Sequence, residues 1–363
     1  MKKIKYFDNC KQEYLISLGL LDPDKKTYTK SYYILNKKWQ ILREKHCLIY
    51  SMPKNVSKII TAKYKKLIKY FKSFDNFIDK NIDIQKYYNT NNQLEKEAYN
   101  KDKKTFLLPF INLFRYSIKK YEKLEEYSDI PDFSERIGQF FIDNANRLEI
   151  NSCFYCESSF VGIFELETET RRTFELDHFF PKEQYPLFSI SLYNFVPSCT
   201  ICNCRIKGSS SFKDFYKLSK TINSKDIEEL RFLSPSSPEY DFSSHTKLNI
   251  NPCCPTDNME WKYTNDINMY EIDFDSDDTT PYKKIIDAFK LNERYNSTSI
   301  KLHALYLYQL KRNNPDEHIH EIAKFLSEAG FTTTAQEIKN KLFHLDEKKS
   351  LLKKLETDIL GDK

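Results

Sequence analysis

Two Cys-x-x-Cys pairs, Cys153/Cys156 and Cys199/Cys202, stand 42 residues apart in this chain. The two-residue turn inside each pair suits two thiolates on one edge of a tetrahedron, at zinc–sulfur distances of about 2.3 Å. Two such pairs complete a four-thiolate structural Zn²⁺ site. A zinc ribbon closes over only about 15–20 residues between its pairs. Here a longer segment is looped out, and its two ends must return to one metal. The chain holds nine cysteines, an odd number, and its N-terminus (MKKIK) has no apolar core behind it. Both features argue against a disulfide framework and for metal, and the missing signal leads us to expect a cytoplasmic protein. Cys204 lies two positions past Cys202, so a Cys199/Cys204 pairing stays open. The commoner Cys-x-x-Cys spacing favours Cys202.

The looped-out segment carries further chemistry. Glu175-Leu176-Asp177-His178 closes a candidate strand, and Pro181 ends it. Adjacent strand residues point to opposite faces, yet twist at a strand end can turn a carboxylate and an imidazole toward one substrate. Asn194 follows sixteen residues after His178, Asn203 comes directly after Cys202, and Lys207 sits one helical turn further on. Carboxylate and amide oxygens suit Mg²⁺ or Mn²⁺ better than a second zinc. A neutral imidazole nearby can take a proton from water. Lys182 and Lys207 are candidate phosphate contacts. Glu175 is expected at the surface.

At these residues the sequence resembles the HNH nuclease family. The matching elements are Cys153-x-x-Cys156, Leu176-Asp177-His178-Phe179-x-Pro181-Lys182, Asn194, and Cys199-x-x-Cys202-Asn203 with Lys207. The flanking text is similar to the HNH subunit of Septu-type bacterial anti-phage systems and related defence nucleases, over roughly residues 140–300. The resemblance implies a zinc-clamped ββα-metal core between helical regions, an α+β chain overall. It implies His178 as general base, Asp177 and Asn203 as ligands of a catalytic divalent cation, and Asn194 as the brace that orients His178. It further implies DNA phosphodiester hydrolysis and a partner ATPase of the ABC/SMC-like class. An RNase on the same fold, and a zinc-stabilised nucleic-acid-binding scaffold without activity, remain the alternatives.

The remaining sequence sets boundaries around this core. Only six glycines occur, and no Gly-x-Gly-x-x-Gly, Gly-x-x-x-x-Gly-Lys or Gly-x-Ser-x-Gly pattern is present, which sets aside dinucleotide, P-loop and α/β-hydrolase chemistry. The longest apolar run, Phe106 to Phe114, is far short of a membrane span. Residues 1–145 hold 29 basic and 18 acidic side chains, whereas the rest holds 28 and 34. The basic part can attract phosphate without reading sequence. Helical periodicity marks Ser57–Asp75, Phe106–Tyr127, Phe133–Leu148 (capped by Ser134), Ile300–Leu310 and Glu317–Ala329, the last closed by Gly330. Short strands are expected at Phe160–Leu166 and Arg172–Leu176, loops and short strands over Ser234–Asp278, and one or two helices over Thr334–Leu360. The expected regions are 1–148, 149–220, 221–280 and 281–363. Cys253 and Cys254 read as buried small residues, and His318 and His320 as surface. His245, His303 and His344 carry no pattern.

Overall fold

The computed structural model describes residues 1–82, 93–116, 124–208, 210–253, 266–276, 280–313, 315–328, 332, 334–342, 355 and 359. They form an α+β chain, mostly helical, with three two-stranded antiparallel sheets among the described residues. The hairpins are β1 (Ile163–Glu165) with β2 (Thr170–Arg172), β3 (Glu175–His178) with β4 (Phe195–Ser198), and β5 (Thr246–Pro252) with β6 (Tyr270–Ser276). No helix among the described residues is long and apolar enough to cross a membrane.

Contacts divide the chain into two compact units: residues 3–150 with 161–240, and residues 1–2, 151–160 and 241–363. These limits differ from the linear boundaries expected at 148, 220 and 280. Within the first unit, aromatic packing joins segments far apart in the sequence. In the first unit the helix Tyr64–Asn81 buries Leu67, Ile68, Phe71, Phe74 and Ile78 along one face. Phe71 stacks on Phe180 with ring centroids 4.3 Å apart, and meets Tyr185 at 4.8 Å and Phe212 at 5.6 Å. The lysine-rich helix and the segment after β3 thus share one core. Each such ring contributes roughly 1.5–3 kcal/mol through burial.

Local differences from the sequence reading have local causes. The apolar stripe from Ile59 to Phe74 is buried as expected, but it belongs to two helices, Ser57–Ile60 and Tyr64–Asn81. The Thr61 hydroxyl donates to the Ser57 carbonyl at 2.8 Å, and Lys63 is extended at ψ 151, so the chain restarts at Tyr64. The helix Gln93–Leu113 runs through Pro109 and stops at Leu113. Residues 117–123 of the expected Phe106–Tyr127 helix lie outside the described residues. The helix Ser134–Asp143 buries Ile137, Phe140 and Phe141, with Ala145 just beyond it. Ser134 is not its cap. Its backbone N–H and hydroxyl both donate to Asp132 Oδ1, at 2.8 and 2.7 Å.

In the second unit β5 and β6 pair over seven residues, with Leu248, Tyr270, Ile272 and Phe274 buried. Asn292 and Asn296 accept the Phe274 and Ile272 backbone N–H groups at 2.8 Å each, so the helix Leu291–Tyr295 and the turn after it satisfy the free edge of β6. Helices Tyr282–Ala288, Thr298–Asn313, Asp316–Glu328 and Ala335–Leu342 follow the expected return to helical periodicity. Cys253 is exposed, contrary to its reading as a buried residue, because it follows the open end of β5. His318 and His320 are exposed, as expected. Cys254, Gly330 and His344 lie outside the described residues.

Candidate functional site

Cys153, Cys156, Cys199 and Cys202 are all buried, and their four sulfur atoms lie within 4.8 Å of one another. Around a tetrahedral zinc with bonds near 2.3 Å, the sulfurs would stand about 3.8 Å apart. The donor set is soft thiolate throughout, so the cluster fits a structural zinc ion. The local backbone prepares it. Glu157 N–H donates to the Cys153 carbonyl at 2.8 Å and takes a left-handed φ of +56, closing the first turn. Cys202 N–H donates to Cys199 Sγ at 3.4 Å in the second pair. Cys204 is exposed and not part of the cluster, so the second pair is Cys199/Cys202.

The β3–β4 hairpin leads out from the second pair. Its register places Glu175 opposite Ser198, Asp177 opposite Val196 and His178 opposite Phe195. A seven-residue π-helical segment, Ile201–Lys207, comes next and ends at Gly208, whose φ is +47. A Cβ at Gly208 would meet the Cys204 carbonyl oxygen at 3.3 Å. That segment carries both Asn203, which is partly exposed, and Lys207, which is buried. Glu175 is partly buried, not fully at the surface.

Asn194, fully buried, staples the connection between the strands. Its Oδ1 accepts from Phe180 N–H at 2.8 Å, and its Nδ2 donates to the Phe180 and Phe188 carbonyls at 3.0 Å each. Its own carbonyl accepts from Phe179 N–H at 2.8 Å. An asparagine is required because one side chain must both accept and donate.

His178 lies at the end of β3 and is buried. Its Nε2 is 2.8 Å from the Ser189 carbonyl oxygen. A carbonyl only accepts, so the proton sits on Nε2, and Nδ1 keeps its lone pair. The imidazole meets the Tyr116 ring edge-on at 4.6 Å and the Phe195 ring at 4.8 Å. Burial lowers its pKa to about 3. The Lys182 and Lys207 charges push the same way, and the Ser189 carbonyl pulls back. Lys182 Nζ lies over the Tyr116 ring, 4.5 Å from its centre; burial raises the Tyr116 pKa, and the Arg172 charge pulls it back.

Lys207 departs from its expected role as a phosphate contact. Its ammonium donates to Asp177 Oδ2 at 2.6 Å, to the His178 carbonyl at 2.6 Å and to the Phe179 carbonyl at 3.4 Å. An ammonium has three N–H donors, and all three point inward. Burial pushes the Lys207 pKa down, while Asp177 holds it up. The pairing also bears on the expected divalent cation. Mg²⁺ binds a carboxylate oxygen at about 2.0–2.1 Å. Here the ammonium stands beside that same oxygen. As arranged, Asp177 Oδ2 is held by Lys207, and nothing among the described residues supports the expected Mg²⁺ or Mn²⁺ at Asp177 and Asn203.

The structure therefore joins Asp177, His178 and Lys207 at the end of one hairpin, with Asn194 bracing the connection. Tyr116, Arg172 and Ser189 adjoin them and were not singled out in the sequence. Ser189 acts through its backbone carbonyl, for which a sequence carries no signal. Tyr116 lay inside an apparent helical stretch that ends three residues earlier, at Leu113. In comparisons with protein-family models, curated proteins and solved structures, no match to this chain was found.

Proposed function

We propose that this chain is a phosphodiester-cleaving endonuclease of the HNH class, acting on DNA. The observation that carries the reading is the fixed tautomer of His178. The Ser189 carbonyl holds the Nε2 proton, which leaves Nδ1 as a base for water. The order β3, β4, then the 201–207 segment supports a ββα arrangement, and the four-thiolate cluster beside β4 supports the zinc clamp.

Each residue has a distinct task in this reading. His178 accepts the proton of the attacking water, a contribution typically worth about 10²–10⁴-fold. Its low pKa keeps it neutral before substrate arrives. The negative charge of an incoming phosphodiester then favours the imidazolium that proton transfer creates. Lys182, whose charge already acts on His178, attracts that phosphate. Asn194 holds the connection in register, so that Ser189 stays aligned with His178. The basic excess of residues 1–145 adds attraction that is independent of sequence.

The test is cleavage of supercoiled plasmid and of structured RNA by the purified full chain. Nicked or linear plasmid is the expected product. Cleavage of RNA alone would replace the DNA assignment with an RNase. No product from either nucleic acid would contradict the reading.

A further inference from the structure

We propose that the Lys207 ammonium is the resident cation of the Asp177 site and keeps divalent cations out of it. The inference concerns the same hairpin that the functional reading uses, but its test does not depend on cleavage.

The Lys207 ammonium is fully built into its surroundings. Lys207 Nζ meets one carboxylate oxygen and two backbone carbonyls, those of Asp177, His178 and Phe179. Oxygens of these types also ligate hard divalent cations, so the ammonium sits in a cation-shaped set of acceptors. Both partners of the ion pair are about 6% exposed at their side chains. Water therefore screens them little, and a second positive charge next to Lys207 would be strongly repelled. The backbone holds this placement. The 201–207 segment ends at Gly208, whose N–H donates to the Asn203 carbonyl at 3.0 Å, which sets Lys207 at the last position of a wide turn. Lys207 is thus a positioning residue. It neutralises Asp177 and ties the backbone of His178 and Phe179 to the 201–207 segment.

The experiment measures Mn²⁺ binding to the full chain by electron paramagnetic resonance. The binding that depends on this site is found by comparing each protein with its Asp177→Asn counterpart. Wild type is expected to show no Asp177-dependent binding. Lys207→Met, which keeps the length and removes the charge, is expected to gain it, with affinity raised by roughly a hundredfold or more. Asp177-dependent Mn²⁺ binding by wild type equal to that of Lys207→Met would overturn the proposal. So would its absence from a folded Lys207→Met protein.

A second measurement needs no variant. Lysine acetylation rates are read by mass spectrometry, with and without Mn²⁺, using Lys225 as the exposed reference (its side chain is 84% exposed). Lys207 is expected to react at least about tenfold more slowly than Lys225 in both conditions, as a buried, paired amine should. A rise of the Lys207 rate to that of Lys225 on adding Mn²⁺ would mean that the metal displaces it, and would overturn the proposal. Failure of the nuclease reading would appear separately, as absent cleavage with these cation results unchanged.

Discussion

Lys207 Nζ stands 2.6 Å from Asp177 Oδ2, with both side chains buried. A buried pair of this kind is costly to break from one side, because the remaining charge loses its partner without regaining water. Asp177→Leu or Lys207→Met alone should therefore lower stability by about 3–5 kcal/mol. The double variant Asp177→Leu/Lys207→Met should lose clearly less than the sum. Urea unfolding of the four proteins in a double-mutant cycle checks this. Additive losses would mean that the two charges do not interact.

Asn194→Ala should also be costly, by roughly 2–4 kcal/mol, because it leaves the Phe180 N–H and the Phe180 and Phe188 carbonyls without their side-chain partner. Asn194→Asp keeps the acceptor but loses both donated bonds, and should recover only part of that loss. Denaturation midpoints compare the two. A neutral Asn194→Ala would show that the bracing role is not real.

His178 should be neutral, with its proton on Nε2, through the physiological pH range. Its pKa is lowered from 6.5 to about 3. The unfolded chain takes up this proton first, so the stability tied to the buried neutral ring is fully present above about pH 6.5. It is lost progressively as pH falls toward 3. Nitrogen-15 shifts of the imidazole report both tautomer and charge. An imidazolium at pH 6 would contradict the placement of His178.

Removing zinc should act locally. One zinc per chain is expected by elemental analysis, and Cys153→Ser should abolish it. Binding to a four-thiolate structural site contributes on the order of 10 kcal/mol in small peptides, so chelation should also raise amide exchange in residues 151–160 and 199–208. Zinc content unchanged in Cys153→Ser would remove the assignment.

Much of this site was legible in the sequence because its signals are local spacings. The two Cys-x-x-Cys pairs, Asp177-His178 before Pro181, and Asn194 could all be read without coordinates. What escaped was set by long-range packing. The aromatic cluster of Phe71, Phe180, Tyr185 and Phe212 joins segments more than a hundred residues apart, a pairing that linear composition does not register. The position of Lys207 is legible in the sequence, but its direction is not. The π-helical turn and the left-handed Gly208 aim it inward, and no pattern of residue types encodes that turn. Ser189 contributes a carbonyl that any residue could supply.

The central claim, that His178 is the base of a phosphodiester hydrolase, is tested most directly by single-turnover plasmid cleavage with wild type and His178→Ala. Both proteins would first be matched for zinc content and circular dichroism. The account predicts cleavage by wild type and a loss of about 10²-fold or more in His178→Ala with its fold intact. Equal cleavage rates for the two folded proteins would contradict it.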